Sequence, residues 1–272
     1  MNIRVIGREA LSKYPLLDGL FRRFVWSKVY FPENEMRFLH ELSAGSIDIA
    51  IDLGAATGSY SWILNRVSNR VFAFEPGKIH NRYLKRVNFF TNIEVIQAAV
   101  GSTCANVSLY TPGSDNNALH SATVSKRNPV ASLDETTVNQ VSQISLDSFL
   151  EGLPIANRSI DLLKVDVEGY ELEVFRGAVE LLSIYHPLII CEIEARHNPR
   201  YTEVFSLLTG LEYSCYIYRS GEFEVFAGSS IEDFQKDTDL EVRLSENYDP
   251  ESNFYINNFV FQHPQSNIKV AR

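Results

Sequence analysis

The sequence predicts an α/β fold with a doubly wound, mostly parallel sheet and helices on both faces. From residue 47 onward, short apolar runs typical of buried strands alternate with amphipathic segments of helical period. The first strand, IDIAIDLG (47–54), runs into the loop GAATG (54–58), which has almost no side-chain bulk. Such a loop at the carboxyl end of a strand lets a ligand approach the backbone closely.

Before residue 47 the pattern is helical and predicts an N-terminal helical cap over residues 1–46. LLDGLFRRFVWSKVYF (16–31) places its apolar residues on one helical face. ENEMRFLHELSAG (33–45) predicts a second helix that ends at Gly45. The main domain is therefore predicted over 47–264, with 265–272 as a frayed tail.

Within the main domain the elements follow in alternation. Helices are predicted over 60–68, 78–90 and 170–185, and strands over 47–54, 70–76, 93–101, 160–169 and 187–194. Residues 102–143 are polar and turn-rich, which is typical of a functional or disordered segment. Further strands are predicted over 211–228, with a turn at Ser220-Gly221, and over 253–263.

Composition narrows the classes of function. The net charge of −9 argues against nucleic acid as a partner, because phosphate binding needs clustered Lys and Arg. No apolar run approaches the ~20 residues that span a bilayer, so no transmembrane segment is expected. The N-terminus lacks the features of a signal peptide, and three scattered cysteines suggest no disulfide framework. We therefore expect a cytoplasmic protein.

The loop and one acidic residue indicate the kind of ligand. GAATG matches neither the GxGxxG fingerprint of dinucleotide-binding domains nor a P-loop, and it contains no Lys or Arg. Glu75 ends the second predicted strand, 23 residues after Asp52. A carboxylate there can accept hydrogen bonds from both hydroxyls of an unphosphorylated ribose. These two features predict an adenosine-like ligand and leave open a nicotinamide cofactor or S-adenosylmethionine.

Six blocks of the sequence, in order, resemble the FkbM-type family of S-adenosylmethionine-dependent methyltransferases. They are IDLGAATGSYS (51–61), VFAFEP (71–76), AAVG (98–101), ISLDSFL (144–150), IDLLKVDVEGYELEVFRGA (160–178) and PLIICEIE (187–194). The resemblance implies a Rossmann-like methyltransferase sheet with an antiparallel C-terminal strand near 257–264. It also implies S-adenosyl-L-methionine as cofactor and a hydroxyl acceptor on a sugar, glycoconjugate or other small molecule. Amine and carboxylate acceptors stay open, as does the oligomeric state.

A cofactor site follows from the resemblance and the strand ends. Asp52 and the glycine loop would lie against the methionine part, with backbone N–H groups at the next helix facing its carboxylate. Glu75 would take the ribose, and small residues beside Gln97 would flank the adenine. The predicted cofactor residues are Asp52, Gly54, Ala55, Gly58, Tyr60, Ser61, Glu75, Pro76, Gln97, Ala98 and Asp166.

The predicted catalytic residues are Asp166, Glu168 and Glu192. Asp166 and Glu168 flank Val167, so on a strand they would share a face, and two close carboxylates raise one pKa. An alternative of equal weight is that Glu168 braces the following helix. No metal is predicted, although Asp166, Glu192 and His197 form a minority hypothesis for a cation site. His40, His80, His120 and His186 are interpreted as surface or core residues.

Two other functions compete with methyl transfer. An NAD-dependent oxidoreductase would need a dinucleotide fingerprint, which GAATG does not supply. A non-catalytic interaction protein could use the basic, aromatic helix at 16–31 to dock on a partner or on an anionic membrane. The acidic residues at successive strand ends favour an enzyme.

Overall fold

The structure is a computed structural model. It describes residues 34–88, 91–113, 122–133, 136–153, 158–219, 221–227, 230–236 and 255–270. The helix predicted over 16–31, His120, and the acidic residues from 237 to 251 lie outside the described residues. No helix in the described ranges combines the length and the apolar character needed to cross a membrane.

The described residues form helices and strands in alternation. In chain order they are α1 (Asn34–Glu41), β1 (Ile47–Leu53), α2 (Ser59–Val67), β2 (Ser68–Phe74), α3 (Lys78–Val87), β3 (Ile93–Ile96), β4 (Ala99–Val100), β5 (Ala105–Thr111), β6 (Thr137–Ile144), α4 (Leu146–Glu151), β7 (Ile160–Val165), α5 (Glu171–Arg176), α6 (Val179–Tyr185), β8 (Leu188–Glu192), α7 (Tyr201–Gly210), β9 (Ser214–Arg219), β10 (Glu222–Val225) and β11 (Asn258–Gln262), with 3-10 helices at Pro129–Ser132 and Ile231–Phe234.

The main sheet has eight strands in the order β10-β9-β11-β8-β7-β1-β2-β3. Strands β3, β2, β1, β7 and β8 pair in parallel, whereas β11 pairs antiparallel with both β8 and β9. The predicted α/β class, mostly parallel sheet and antiparallel C-terminal strand are confirmed. Because β2 and β7 both pair with β1, the direction of winding reverses at the carboxyl ends of β1 and β7, where ligands bind in open α/β sheets.

Alternation along the strands produces two apolar cores, one on each face of this sheet. Ile51 and Phe72 belong to one core, while their chain neighbours Ala50 and Val71 belong to the other. A strand whose successive side chains enter opposite cores is apolar at nearly every position. This explains why IDIAIDL is recognisable as a buried strand from its sequence.

Two predicted elements are interrupted. The helix predicted over 170–185 is two helices, α5 and α6, with Gly177 at the break, where the chain packs against the carbonyl oxygen of Gly101. A Cβ at Gly177 would lie 2.1 Å from that oxygen. The strand predicted over 93–101 is likewise split, since β3 joins the main sheet and β4 joins a small second sheet.

The polar segment 102–143 contains regular structure that the sequence did not predict. Strands β5 and β6 pair antiparallel and, with β4, form a three-stranded sheet. Strand β6 is mostly exposed and has no apolar alternation, whereas β5 is mostly half-buried and carries only a short alternation, at Val107 and Leu109, within the polar segment.

The predicted frayed tail is also wrong for residues 265–270. Ile268 is buried in one of the two cores, and the side chain of Asn267 donates a hydrogen bond to Asp161. The backbone N–H of Val270 donates to the side chain of Gln262 at 2.6 Å.

Candidate active site

A cleft opens at the carboxyl ends of β1, β2 and β7, where the winding reverses. Its walls come from three strand ends, from helix α3 and from the small sheet. The lining residues are Leu53, Gly54, Ala56, Phe74, Glu75, Pro76, His80, Ala98, Ala99, Val100, Leu109, Ala122, Val124, Asp166, Val167, Glu168 and Glu192. The fold thus brings seven of the predicted site residues to one place: Gly54, Glu75, Pro76, Ala98, Asp166, Glu168 and Glu192.

Two glycines of the loop have a left-handed backbone. Gly54 has φ +78° and Gly58 has φ +87°, both in the left-handed region that L side chains rarely adopt. A Cβ on Gly54 would lie 1.7 Å from the carbonyl oxygen of Asp166. Gly54 therefore allows the ends of β1 and β7 to meet beneath the cleft.

Six predicted cofactor residues do not line the cleft. Five of these residues are buried, Ala55 and Gly58 within the loop itself and Asp52, Tyr60 and Ser61 in the strand and helix that flank it. Asp52 accepts a hydrogen bond from Ser61 Oγ at 2.5 Å, which fastens the start of α2 to the end of β1. Gln97 is exposed, because it lies where the chain leaves β3 for the second sheet. Direct ligand contact from these six side chains is not supported by the geometry.

Glu75 is the most constrained acid of the cleft. Its side chain is buried, and its two oxygens accept hydrogen bonds from the backbone N–H groups of Ala56, at 2.9 Å, and Gly77, at 2.6 Å. Burial raises the pKa of Glu75 to about 7, assisted by the charge of Asp52, while the two amides act in the opposite direction. The carboxyl therefore titrates near neutrality.

His80 is buried, as the interpretation as a surface or core residue allows, and it also lines the cleft, which the sequence did not predict. Its Nδ1 lies 4.0 Å from Glu75 Oε1, and the residue is 8% exposed. The clue in the sequence was position, since α3 begins at Lys78, shortly after Glu75, and its first turn must lie at the same sheet edge. The ribose end of the predicted site therefore contains an imidazole beside a carboxyl.

The predicted carboxylate pair is not on a strand. Strand β7 ends at Val165, and Glu168 has φ +52°. Asp166 is fixed through its N–H, which donates to Leu53 O, and its Oδ2 lies 3.8 Å from Lys164 Nζ. Glu168 Oε2 instead lies 2.8 Å from His197 Nδ1. The two acids share the cleft but have different partners.

The acid that braces the helix after β7 is Glu171, and the alternative hypothesis for Glu168 was wrong in its choice of residue. Glu171 is 1% exposed and accepts hydrogen bonds from Gly169 N and Asn198 Nδ2, each at 2.7 Å. Burial raises its pKa to about 7, with a smaller contribution from the charge of Glu168.

The end of β8 supplies a second acidic group. Glu192 accepts a hydrogen bond from Asn257 Nδ2 at 2.5 Å. Glu194 lies behind it, 6% exposed, and accepts from Tyr255 OH at 3.1 Å and from Arg196 Nε at 2.6 Å. His197 Nδ1 lies 3.2 Å from Glu194, so this histidine is held between Glu194 and Glu168.

The minority hypothesis of a metal site gains no support from this geometry. His197 is engaged by Glu168 and Glu194 rather than by Asp166 and Glu192. Across the described ranges, no three His, Cys, Asp or Glu side chains are grouped so that they could hold a metal ion.

Comparison with known proteins identifies the family. The family model described as the methyltransferase FkbM domain matches residues 52–215, which include the glycine loop and the ends of β1, β2, β7 and β8. The chain belongs to the FkbM methyltransferase-domain family. The residues that the match covers are those that build the cleft.

Three individual relatives of this FkbM-family chain are identical to it at 30% of the matched residues or fewer. "Methyltransferase 1" of Beauveria bassiana (strain ARSEF 2860) is 30% identical over 142 residues, which are 47% of this chain and 57% of the relative. The chain therefore spans little more than half the length of that relative. A methyltransferase FkbM from Methylobacillus flagellatus KT is 16% identical, with a TM-score of 0.45, over 83% of this chain and 50% of the other. A putative S-adenosylmethionine dependent methyltransferase from Listeria monocytogenes is 8% identical, with a TM-score of 0.39, over 84% and 96%.

Lys164 is a site residue that the sequence did not single out, although it stands in the most specific FkbM-like block. Its side chain is fully buried, with Nζ 3.2 Å from Asn258 Oδ1 and 4.5 Å from the centre of the Tyr60 ring. A buried ammonium is stable only when paired, and Asp166 and the Tyr60 ring supply the compensation. Lys164 thereby links the floor of the cleft to β11.

Proposed function

We propose that this protein transfers a methyl group from S-adenosyl-L-methionine to a hydroxyl oxygen of a sugar, a glycoconjugate or another small molecule. The observation that carries the proposal is Glu75, a buried carboxyl fixed by two loop amides at the carboxyl end of β2, facing a cleft beside Gly54. Membership of the FkbM methyltransferase-domain family supports the reaction class.

The described residues fit this cofactor. The walls near Glu75 are formed by small residues, including Gly54, Ala56, Ala98 and Ala99, so a flat adenine ring has access to the backbone. Glu75 keeps lone pairs beyond those used by Ala56 and Gly77 and would accept hydrogen bonds from the ribose hydroxyls. S-adenosylmethionine, when bound, supplies an electrophilic methyl group on a cationic sulfur. The acids Asp166 and Glu192 give the nearby cleft a charge complementary to that sulfur.

On the acceptor side, Glu168 would take the proton of the attacking hydroxyl. It lines the cleft, and its contact with His197 fixes the direction of the carboxylate. Asp166 is held by a backbone hydrogen bond to β1 and would orient the reactants rather than receive the proton. Positioning of two reactants supplies most of the rate in such a displacement.

The charge of the cleft supports a small hydroxylated acceptor over nucleic acid. Among the described lining residues, the ionisable side chains are Glu75, His80, Asp166, Glu168 and Glu192, with no Lys or Arg. A polyanion would meet repulsion here, in keeping with the net charge of −9. Membership of a methyltransferase family argues against an NAD-dependent oxidoreductase. The acids held by hydrogen bonds in the cleft, such as Glu75 and Asp166, argue against a purely structural role.

The experiment that tests the cofactor is calorimetric titration with S-adenosylmethionine and S-adenosylhomocysteine, with NAD as a negative control. We expect micromolar affinity for both sulfur ligands, a loss of at least about tenfold in Glu75→Ala, and no binding of NAD. Glu94→Ala is the matched control, because Glu94 lies on the neighbouring strand β3 and pairs with Arg70 at the surface. Failure of both sulfur ligands to bind the folded parent would reject the proposal.

The acceptor is then sought with a panel of sugars, glycoconjugates, amines and carboxylates, with release of S-adenosylhomocysteine as the readout. We expect turnover with a hydroxylated compound and a loss of at least about a hundredfold in Glu168→Gln, with cofactor affinity retained. Turnover with amines alone would reject the assignment of a hydroxyl acceptor but keep the cofactor.

A further inference from the structure

Glu168 has a backbone conformation that a residue with a side chain rarely adopts. Its φ of +52° lies in the left-handed region, and the next residue, Gly169, has φ +90°. At Gly169 a Cβ would lie 2.3 Å from the carbonyl oxygen of His197, so only glycine fits. At position 168, by contrast, a glutamate is present where glycine would be the unstrained choice. Such strain persists only where surrounding contacts impose it, and it concentrates at functional sites.

Two buried side chains supply those contacts. Thr123 Oγ1 donates a hydrogen bond to the carbonyl oxygen of Glu168 at 2.7 Å, and Asn128 Nδ2 donates to the same oxygen at 2.8 Å. Thr123 and Asn128 are each 1% exposed. One carbonyl oxygen thus receives two side-chain donors from a segment about 40 residues earlier in the chain.

The donors are themselves held in place. Thr123 exchanges two backbone hydrogen bonds with Tyr110 of β5, at 2.8 and 2.9 Å, which join it to the small sheet. Asn128 Oδ1 accepts from Val130 N and so caps the 3-10 helix at Pro129–Ser132. A continuous set of contacts therefore runs from the small sheet to the backbone of Glu168, and from its side chain to His197.

We infer that Thr123 and Asn128 are positioning residues that hold Glu168 in its left-handed conformation and so direct its carboxylate into the cleft and onto His197. The chemical meaning of that carboxylate, as the acceptor of a hydroxyl proton, rests on the proposed function. The inference gives the small sheet a role, because Thr123 is hydrogen-bonded to strand β5 and directly contacts the backbone of Glu168.

The test uses variants that remove one donor and keep the shape. Thr123→Val deletes the hydroxyl, whereas Thr123→Ser retains it. Asn128→Asp deletes the NH₂ donor but keeps the oxygen that caps the 3-10 helix. The readout is the ¹³Cε1–¹H NMR resonance of His197, assigned with His197→Gln, in the full chain at fixed pH. Three charged groups contact this imidazole or its neighbours, namely Glu168, Glu194 and Arg196.

We expect Thr123→Val and Asn128→Asp to displace the His197 resonance in the same direction as Glu168→Gln, and Thr123→Ser to leave it in place. A resonance that moves in Glu168→Gln but in neither donor variant would overturn the inference, because the donors would then hold only their own loop. S-adenosylhomocysteine affinity should stay within about twofold in the donor variants, since Glu75 lies on the other wall. If the parent fails to bind that ligand, the proposed function fails while the NMR result still decides this inference.

A second measurement tests the strain itself. Glu168→Gly should melt about 2–4 °C higher than Glu168→Ala, because glycine adopts the left-handed conformation without strain and alanine does not. Equal melting temperatures would show that position 168 carries no strain for Thr123 and Asn128 to maintain, and would also overturn the inference.

Discussion

The two walls of the cleft are built over different distances along the chain. On the wall that contains Gly54, Ala56 and Glu75, the proposed cofactor wall, the backbone N–H of Ala56 reaches Glu75 across 19 residues, from one strand end to the next. On the wall that contains Glu168 and Glu192, the proposed acceptor wall, Thr123 reaches Glu168 across 45 residues, and behind it Tyr255 reaches Glu194 across 61. The first wall is held mainly by backbone groups of adjacent parallel strands, and the second by side chains from separate segments.

This difference has an energetic side. A left-handed backbone at a residue with a side chain costs about 1–3 kcal/mol. Each wall contains one such residue, Ala56 with φ +46° on the first and Glu168 with φ +52° on the second, and Glu168 alone receives two side-chain donors from a distant segment on its carbonyl. Two hydrogen bonds to its carbonyl, each with a net contribution of about 1 kcal/mol, are of the size needed to offset that cost. The acceptor wall is therefore the part in which small changes of side chain should alter geometry without unfolding the sheet.

The largest expected effect of a single substitution lies on the proposed cofactor wall. Gly54→Ala places a Cβ 1.7 Å from Asp166 O at a φ of +78°, so we expect a loss of about 4 kcal/mol in the free energy of unfolding. Urea denaturation measures it. Gly210→Ala is the matched control, because that Cβ meets nothing within 4 Å, and its cost should stay below about 1 kcal/mol. A Gly54→Ala protein as stable as the control would contradict the proposed close approach of β1 and β7.

The second prediction concerns stability against pH and involves one buried acid from each wall. Glu75 and Glu171 have an ordinary pKa of 4.5 that the fold raises to about 7. Between these pH values the folded protein holds protons that the unfolded chain has released, so stability falls as pH rises through this range and then levels off. Each carboxyl accounts for up to about 3 kcal/mol between pH 4.5 and 8.

Urea denaturation at pH 5, 6, 7 and 8 checks this sign. In Glu171→Gln the decline should be about half as steep, while Glu180→Gln, on the solvent-facing side of α6, should follow the parent. Stability that rises from pH 5 to pH 8 in the parent would show that other groups dominate.

The third prediction concerns the pH dependence of ligand affinity, which should depend on Glu75 of the proposed cofactor wall. Glu75 must be ionised to accept two ribose hydroxyls, and its pKa is about 7 in the free protein. The Kd for S-adenosylhomocysteine should therefore be about tenfold higher at pH 6 than at pH 8. Calorimetry over this range measures the ratio. The Glu94→Gln variant, altered on β3, should keep the tenfold ratio of Kd values. The Glu75→Gln variant should bind weakly, with the same Kd at both pH values.

The smallest effect is expected at the back of the acceptor wall. Tyr255→Phe removes the hydroxyl that donates to buried Glu194, which should cost about 1 kcal/mol in the free energy of unfolding. Arg196 continues to pair with Glu194, which limits the loss. Chemical denaturation measures it, and a cost above about 3 kcal/mol would mean that Tyr255, rather than Arg196, is the main partner of this acid.

The sequence by itself predicted the parallel sheet, the winding reversal and the positions of Gly54 and Glu75 at the edge of the sheet. The buried parts of β1 and β2 are mainly apolar, and Gly54 and Glu75 directly follow these strands, so local pattern and strand order suffice to bring the two residues together. Family membership extends over the same residues.

Only the tertiary structure decided the acceptor wall. In the small sheet, β6 is exposed and β5 has only a short apolar alternation, and Glu168 could not be assigned a left-handed backbone from a pattern that continued the strand. The partnerships of Glu168 with Thr123, Asn128 and His197 join residues far apart in the chain. Hydrogen bonds between distant side chains leave no periodic trace in a sequence, because they depend on how packed elements meet in space.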